Sequence, residues 1–196
     1  MRAAERNNYK RGWFRRRARR LSQRRFIFVD ESAVNTAMTR RYGRATRGER
    51  AYDSAPRNYG THTSVIGAMG LRGLVAALTV EGAVDTEVFN AYAERVLEPR
   101  LRRGDVVVLD NLTAHRASRI EEVAAARGAQ VLWLPPYSPD YSPIEQCWSK
   151  IKAYLRGAKA RTREALERSL TAALGLVTKA DIRGWSKHCG YSLARE

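Results

Sequence analysis

Cysteine, histidine and long apolar runs are scarce in this chain of 196 residues. The two cysteines, Cys147 and Cys189, lack the paired spacing of a zinc site, so no zinc centre is expected, and Cys147 falls on the apolar face of a predicted helix, which points to a reduced compartment. No stretch approaches the ~18 consecutive apolar residues of a membrane span, and the N-terminus has no apolar signal-peptide core. The protein therefore reads as soluble and unsecreted, with no membrane partner. Serine is nearly absent from the Arg-rich start, where Trp13 and Phe14 are embedded in charge, which argues against an organellar transit peptide. Internal repeats are absent. His62 and His188 are isolated and receive no role.

Acidic residues are the other shortage: 36 Lys and Arg face 20 Asp and Glu, a formal net charge of +16. The imbalance is uneven. Residues 1 to 25 hold eleven basic side chains against Glu5 alone, so this segment supplies +10. Such a run binds polyanions by releasing condensed counterions and weakens steeply with salt, unless it is simply a solvated linker. The length suits one domain with a substantial core, at about 150 residues per domain. The expected organisation is a basic linker or arm over residues 1–24 and a globular domain over 25–190.

From residue 25 the pattern alternates between strand-like and helix-like segments, which predicts α/β architecture. A β-run, Arg25 to Asp30, precedes a polar segment rich in Gly, Arg and Thr (39 to 61). Two further runs, His62 to Met69 and Gly73 to Glu81, read as a hairpin. Val88, Phe89, Tyr92, Val96 and Leu97 predict a helix over Thr86 to Leu101, before a strand ending at Asp110. A helix near Ala117 to Arg127 is stopped by Gly128, and a short strand, Gln130 to Leu134, ends at Pro135-Pro136. Four of the six prolines lie between 135 and 143 and make a stiff connector. Pro143 then suits the first position of a helix capped by Ser142, with Ile144, Cys147, Trp148, Ile151 and Leu155 in one apolar stripe. Arg163 to Val177 predicts a last packing helix.

Two strand-end aspartates, Asp30 and Asp110, and a helix-start glutamate, Glu145, are the candidate chemistry. Residues 111 to 144, 34 in number, separate the last two. Oxygen donors from separate segments meeting at one sheet edge can hold hard divalent cations, and two cations roughly 4 Å apart serve phosphoryl chemistry. Plainer roles exist for each. Asp30 and Asp110 could open Asx turns, and Ser142-Pro143-Ile144-Glu145 is a capping-box pattern. Asp140 is a rival third ligand, but its place among prolines suits a turn former. His115 is close enough to Asp110 to line the same pocket and contact phosphate or relay a proton, or else to start a helix. Glu145 shares a helix side with Ser149, Lys152 and Arg156, so it borders a basic surface fit for a nucleic-acid backbone. The candidate DNA contacts are Arg15, Arg16, Arg17, Arg19 and Arg20 of the basic segment, with His115, Lys152 and Arg156.

Phe28-Val29-Asp30-Glu31-Ser32, Leu109-Asp110-Asn111-Leu112-Thr113-Ala114-His115 and Leu134-Pro135-Pro136-Tyr137-Ser138-Pro139-Asp140-Tyr141-Ser142-Pro143-Ile144-Glu145 resemble the three catalytic blocks of DDE transposases, in the bacterial insertion-sequence branch of the Tc/mariner superfamily. The 34-residue interval matches that group's spacing, and Tyr42-Gly43-Arg44-Ala45-Thr46-Arg47-Gly48 resembles its segment after the first aspartate. The resemblance implies a ribonuclease-H-like fold, a mixed sheet of about five strands flanked by helices. It also implies metal-dependent DNA cleavage and strand transfer, with Asp30, Asp110 and Glu145 as catalytic residues and ligands of two Mg²⁺ or Mn²⁺ ions. A homodimer on DNA and a bacterial, cytoplasmic, nucleoid-associated setting follow from the same likeness. Members normally carry N-terminal helix-turn-helix modules, whereas this chain begins in what looks like the basic linker. It is then either the product of a split reading frame, partnered with an upstream helix-turn-helix half, or a truncated copy. The competing readings are a host nuclease of the same fold and a catalytically inactive basic DNA-binding remnant.

Overall fold

The computed structural model describes residues 6–58, 60, 62–111 and 119–193. Its centre is one five-stranded sheet built from β1 (Phe26–Asn35), β2 (His62–Gly70), β3 (Gly73–Glu81), β4 (Val106–Leu109) and β5 (Gln130–Trp133), in the order β3-β2-β1-β4-β5. The hairpin expected at Gly70 to Gly73 forms, and β1 pairs antiparallel with β2. β4 lies parallel to both β1 and β5. A parallel strand is covered on both faces, which is why all four residues of β4 are apolar and buried.

Helices cover the two faces. On one, Phe26, Phe28, Val106 and Val108 pack under α1 (Asn8–Arg19), α4 (Ile144–Ala158), α5 (Arg163–Gly175) and α6 (Lys179–His188). On the other, Ile27, Val29, Val107 and Leu109 pack under α2 (Thr86–Tyr92) and α3 (Ile120–Ala126). The strict alternation of these strand residues between two cores is the two-residue period of a β-strand. The helix expected over Thr86 to Leu101 is not α-helical throughout. It passes through a π turn, Ala93–Leu97, and a 3-10 turn, Glu98–Arg100, where Pro99 cannot donate to an α-helical ladder. Among the described residues no helix is long and apolar enough to cross a membrane.

The basic N-terminal segment departs most from expectation. Residues 8 to 19 are not a free arm but α1, started by Asn7, whose side chain accepts from the Lys10 amide at 2.9 Å. Arg11, Phe14 and Ala18 form its buried stripe. Phe14 stacks on Tyr141 with ring centroids 5.3 Å apart, so the helix lies against the proline connector. α6 was not expected either, although Thr178 and Asp181 cap it reciprocally.

Candidate active site

The strand register brings the two aspartates together. Phe28 pairs with Val108 across the parallel β1–β4 ladder, and Asp30 and Asp110 each lie two residues further on, so both belong to the face covered by α4. β1 continues through Asn35 while β4 stops at Leu109. A cleft opens there, at the carboxyl end of β4, where open α/β sheets commonly place ligands. The opposite wall is the proline connector, tied down by the Leu134 amide donating to the Leu109 carbonyl at 2.8 Å and by the Asn111 side chain donating to the Leu134 carbonyl.

Glu145 enters from the start of α4. The capping box read from Ser142 to Glu145 does not form: Pro143 occupies the cap position, no side chain caps the helix, and the Glu145 amide donates to the Ser142 carbonyl at 3.2 Å. With Pro143 already helical in conformation, the cap shifts one residue from Ser142, and the Glu145 side chain is exposed to the cleft. Asp30, Asp110, Asn111, Tyr137, Ser142 and Glu145 all line one cavity of about 500 Å³. Tyr137 stands on its rim with φ at 52°, a left-handed conformation uncommon outside glycine.

The electrostatics report the same convergence. Burial pushes the Asp30 carboxyl up to about 7, and the charges of Glu145, Glu31 and Asp110 push the same way. Glu145 is also raised, first by burial and then by Asp110, while Lys152 acts against the rise. Among the described residues no three His, Cys, Asp or Glu side chains close tightly on a single point. The carboxylates instead face one shared cavity, and their all-oxygen, mutually repelling donor set suits hard divalent cations better than soft ones. Asp140, the rival ligand, is engaged elsewhere. The buried Arg11 guanidinium grips it with two bonds, 2.9 and 2.6 Å, and also donates to Ser138 Oγ at 2.6 Å.

Two side chains that touch the site's walls or carboxylates escape a sequence reading. Arg11 looks like one more charge in a basic run, yet it is buried and sits 4.0 Å over the Tyr141 ring. Trp148 reads as part of the apolar stripe of α4, and it is buried there, but its indole Nε1–H donates to Asp30 Oδ2 at 3.0 Å. For the first, only Phe14 and Ala18 mark the face that Arg11 shares, and the arginine's own charge masks the stripe. Sequence offers no signal for the second.

The candidate DNA contacts separate into two surfaces. Arg15, Arg16, Arg17, Arg19 and Arg20 are exposed along α1, with Arg15 near the Tyr141 ring and Arg17 over Trp13. Lys152 and Arg156 line a separate basic hollow with Arg40, Arg41 and Arg57. His115 lies outside the described residues.

Asp110 follows the end of β4 as expected, whereas Asp30 lies within β1, which runs on to Asn35 because it keeps its antiparallel partner β2. A mixed five-stranded sheet with aspartates on neighbouring strands, and a glutamate delivered by the helix beyond, defines a ribonuclease-H-like fold. Residues 25–167 match the DDE superfamily endonucleases, and the chain belongs to that family. It is 29% identical over 85 residues to the Transposable element Tcb2 transposase of Caenorhabditis briggsae, covering 41% of this chain and 31% of that protein. Its fold superposes on the Mos1 transposase in its paired-end complex with the left transposon end at a TM-score of 0.74 and 16% identity, over 94% of this chain and 59% of the other. The Mos1 transposase catalytic domain solved with Raltegravir and Mg gives a TM-score of 0.60 at 15% identity, over 92% of this chain and 88% of that one. The chain thus spans less than two thirds of the full-length relatives it matches.

Proposed function

We propose that this chain is the catalytic domain of a Tc/mariner-type transposase, of the bacterial insertion-sequence branch, that cleaves DNA strands and transfers them to a target. Asp30, Asp110 and Glu145 would hold two Mg²⁺ or Mn²⁺ ions. Mos1 complexes have been crystallised with Mn and with Mg, which supports the choice of metal. Bound there, the ions would supply the positive charge that activates a water or a 3′ hydroxyl and stabilises the leaving oxygen. The rest is done by the chain. β1 and β4 set the spacing of the aspartates, α4 sets Glu145, and the hollow of Arg40, Arg41, Arg57, Lys152 and Arg156 receives phosphates beside the cleft. The exposed arginines of α1 hold duplex further out.

The convergence of three remote carboxylates on one cavity carries this reading and counts against an inert DNA-binding remnant. A helix-turn-helix half supplied upstream, and pairing of two copies across transposon ends, complete the proposal. Supercoiled plasmid with Mg²⁺ or Mn²⁺ provides the test: the wild-type chain nicks it, Asp110→Asn loses at least about 100-fold of that rate, and EDTA abolishes it. Equal nicking by wild type and Asp110→Asn overturns the assignment.

A further inference from the structure

We propose that Trp148 is a positioning residue that selects which oxygen of Asp30 faces the metal ions, with Gly67 as the seat that lets it do so. The inference rests on the metal-binding reading of the cavity. A buried indole N–H needs an acceptor, and that of Trp148 finds Asp30 Oδ2 at 3.0 Å. This bond engages Oδ2 and, together with the Glu31 backbone N–H that also donates to this carboxylate, restricts the side chain's rotation, which would turn Oδ1 toward a cation.

The donor is neutral. An arginine or lysine in its place would hold Asp30 too, but its charge would oppose the binding of a divalent cation a few ångströms away. An indole orients the anion without that repulsion, as partners of metal ligands commonly do.

The backbone is shaped for this contact. Gly67 pairs directly with Asp30 across the antiparallel β1–β2 ladder, so a side chain there would share Asp30's face. A Cβ at Gly67 would lie 2.7 Å from the indole Cη2 and 3.0 Å from Cζ2. Any residue larger than glycine therefore pushes the ring off its seat and the N–H away from Asp30. Trp148 is also one helical turn beyond Glu145, so α4 presents one ligand and aims another as a single rigid unit.

The test compares wild type, Trp148→Phe and Gly67→Ala by calorimetric titration with Mn²⁺, alongside melting temperatures in EDTA. Trp148→Phe keeps an aromatic ring and deletes the donor; Gly67→Ala keeps the donor and displaces it. Both variants should melt cooperatively without metal and bind Mn²⁺ about 10-fold more weakly, with nicking partly restored at higher Mn²⁺. A purely structural role would lower melting and leave the affinity alone. Wild-type Mn²⁺ affinity in either folded variant overturns the proposal while the reading of the cavity stands. If wild type binds no Mn²⁺ and Asp110→Asn behaves identically, the reading of the cavity itself fails, and the role of Trp148 with it.

Discussion

At Asp30 burial and like charge act together, and the consequence is a measurable pH dependence of stability. The carboxyl, ordinarily near 3.8, is pushed up to about 7 in the folded chain. Below the lower value both folded and unfolded chains hold the proton; between the two only the folded chain does; above the upper value neither does. The unfolded state binds fewer protons across that window, so stability falls as pH rises through it, and the full penalty is present above about 7. In EDTA at pH 8, Asp30→Asn should therefore melt at least about 3 °C higher than wild type, and the gap should close near pH 4. Scanning calorimetry at both pH values checks this; a gap that stays constant removes Asp30 as its source. Metal ions reverse the sense. Mg²⁺ added at pH 8 should raise the melting temperature of wild type more than that of Asp30→Asn.

At the scale of elements, α1 acts as a clasp on the wall of the active site. Arg11 joins it to Asp140 and Ser138 through a two-pronged contact, and Phe14 stacks on Tyr141, so the helix braces the connector that ends at Glu145. Arg11→Ala should cost about 1–3 kcal/mol, toward the low end because half-exposed Asp140 regains water. Arg11→Lys should recover little, since an ammonium cannot span both carboxylate oxygens. Thermal melts of the two variants decide it, and wild-type stability in Arg11→Lys would show that charge alone suffices. Asp30 and Asp110 were legible because each closes an apolar run, and the helix carrying Glu145 because Ile144, Cys147, Trp148, Ile151 and Leu155 keep one face. α1 was hidden by its own composition: a buried arginine inside a basic run carries no hydrophobic signal. The contact from Trp148 to Asp30 spans 118 positions, and no local pattern encodes it. α6 is different, since its start is marked locally by Thr178 and Asp181, three residues apart, which cap it reciprocally.

At the scale of the whole molecule, part of the basic excess behind the charge of +16 lies on two surfaces, the exposed side of α1 and the hollow beside α4. Phosphate contacts on both should make DNA affinity fall by roughly 10³-fold or more between 50 and 200 mM salt. Replacing Lys152 and Arg156 together by glutamine should reduce the log–log slope by about 2, on the basis of about 0.9 per phosphate contact. Fluorescence anisotropy over a salt series measures both, and an unchanged slope would exclude the hollow from the DNA path. Nicking by that double variant should fall more than its affinity does, because the lost contacts lie beside the cleft.

The parallel ladder that pairs Phe28 with Val108 has a bearing on how this domain can change over generations. Because alternate residues of β4 point to opposite cores, a single codon gained or lost between Gly104 and Asp110 would turn the aspartate toward α2 and α3 and exchange the β4 side chains between two differently shaped cores. Insertions or deletions in the exposed stretch between Arg41 and Asp53 impose no such inversion, as long as the arginines of the hollow keep their places. Length drift should be tolerated in that outer segment and purged from the short stretch feeding β4, leaving a lineage whose sequences diverge freely but whose spacing there stays constant.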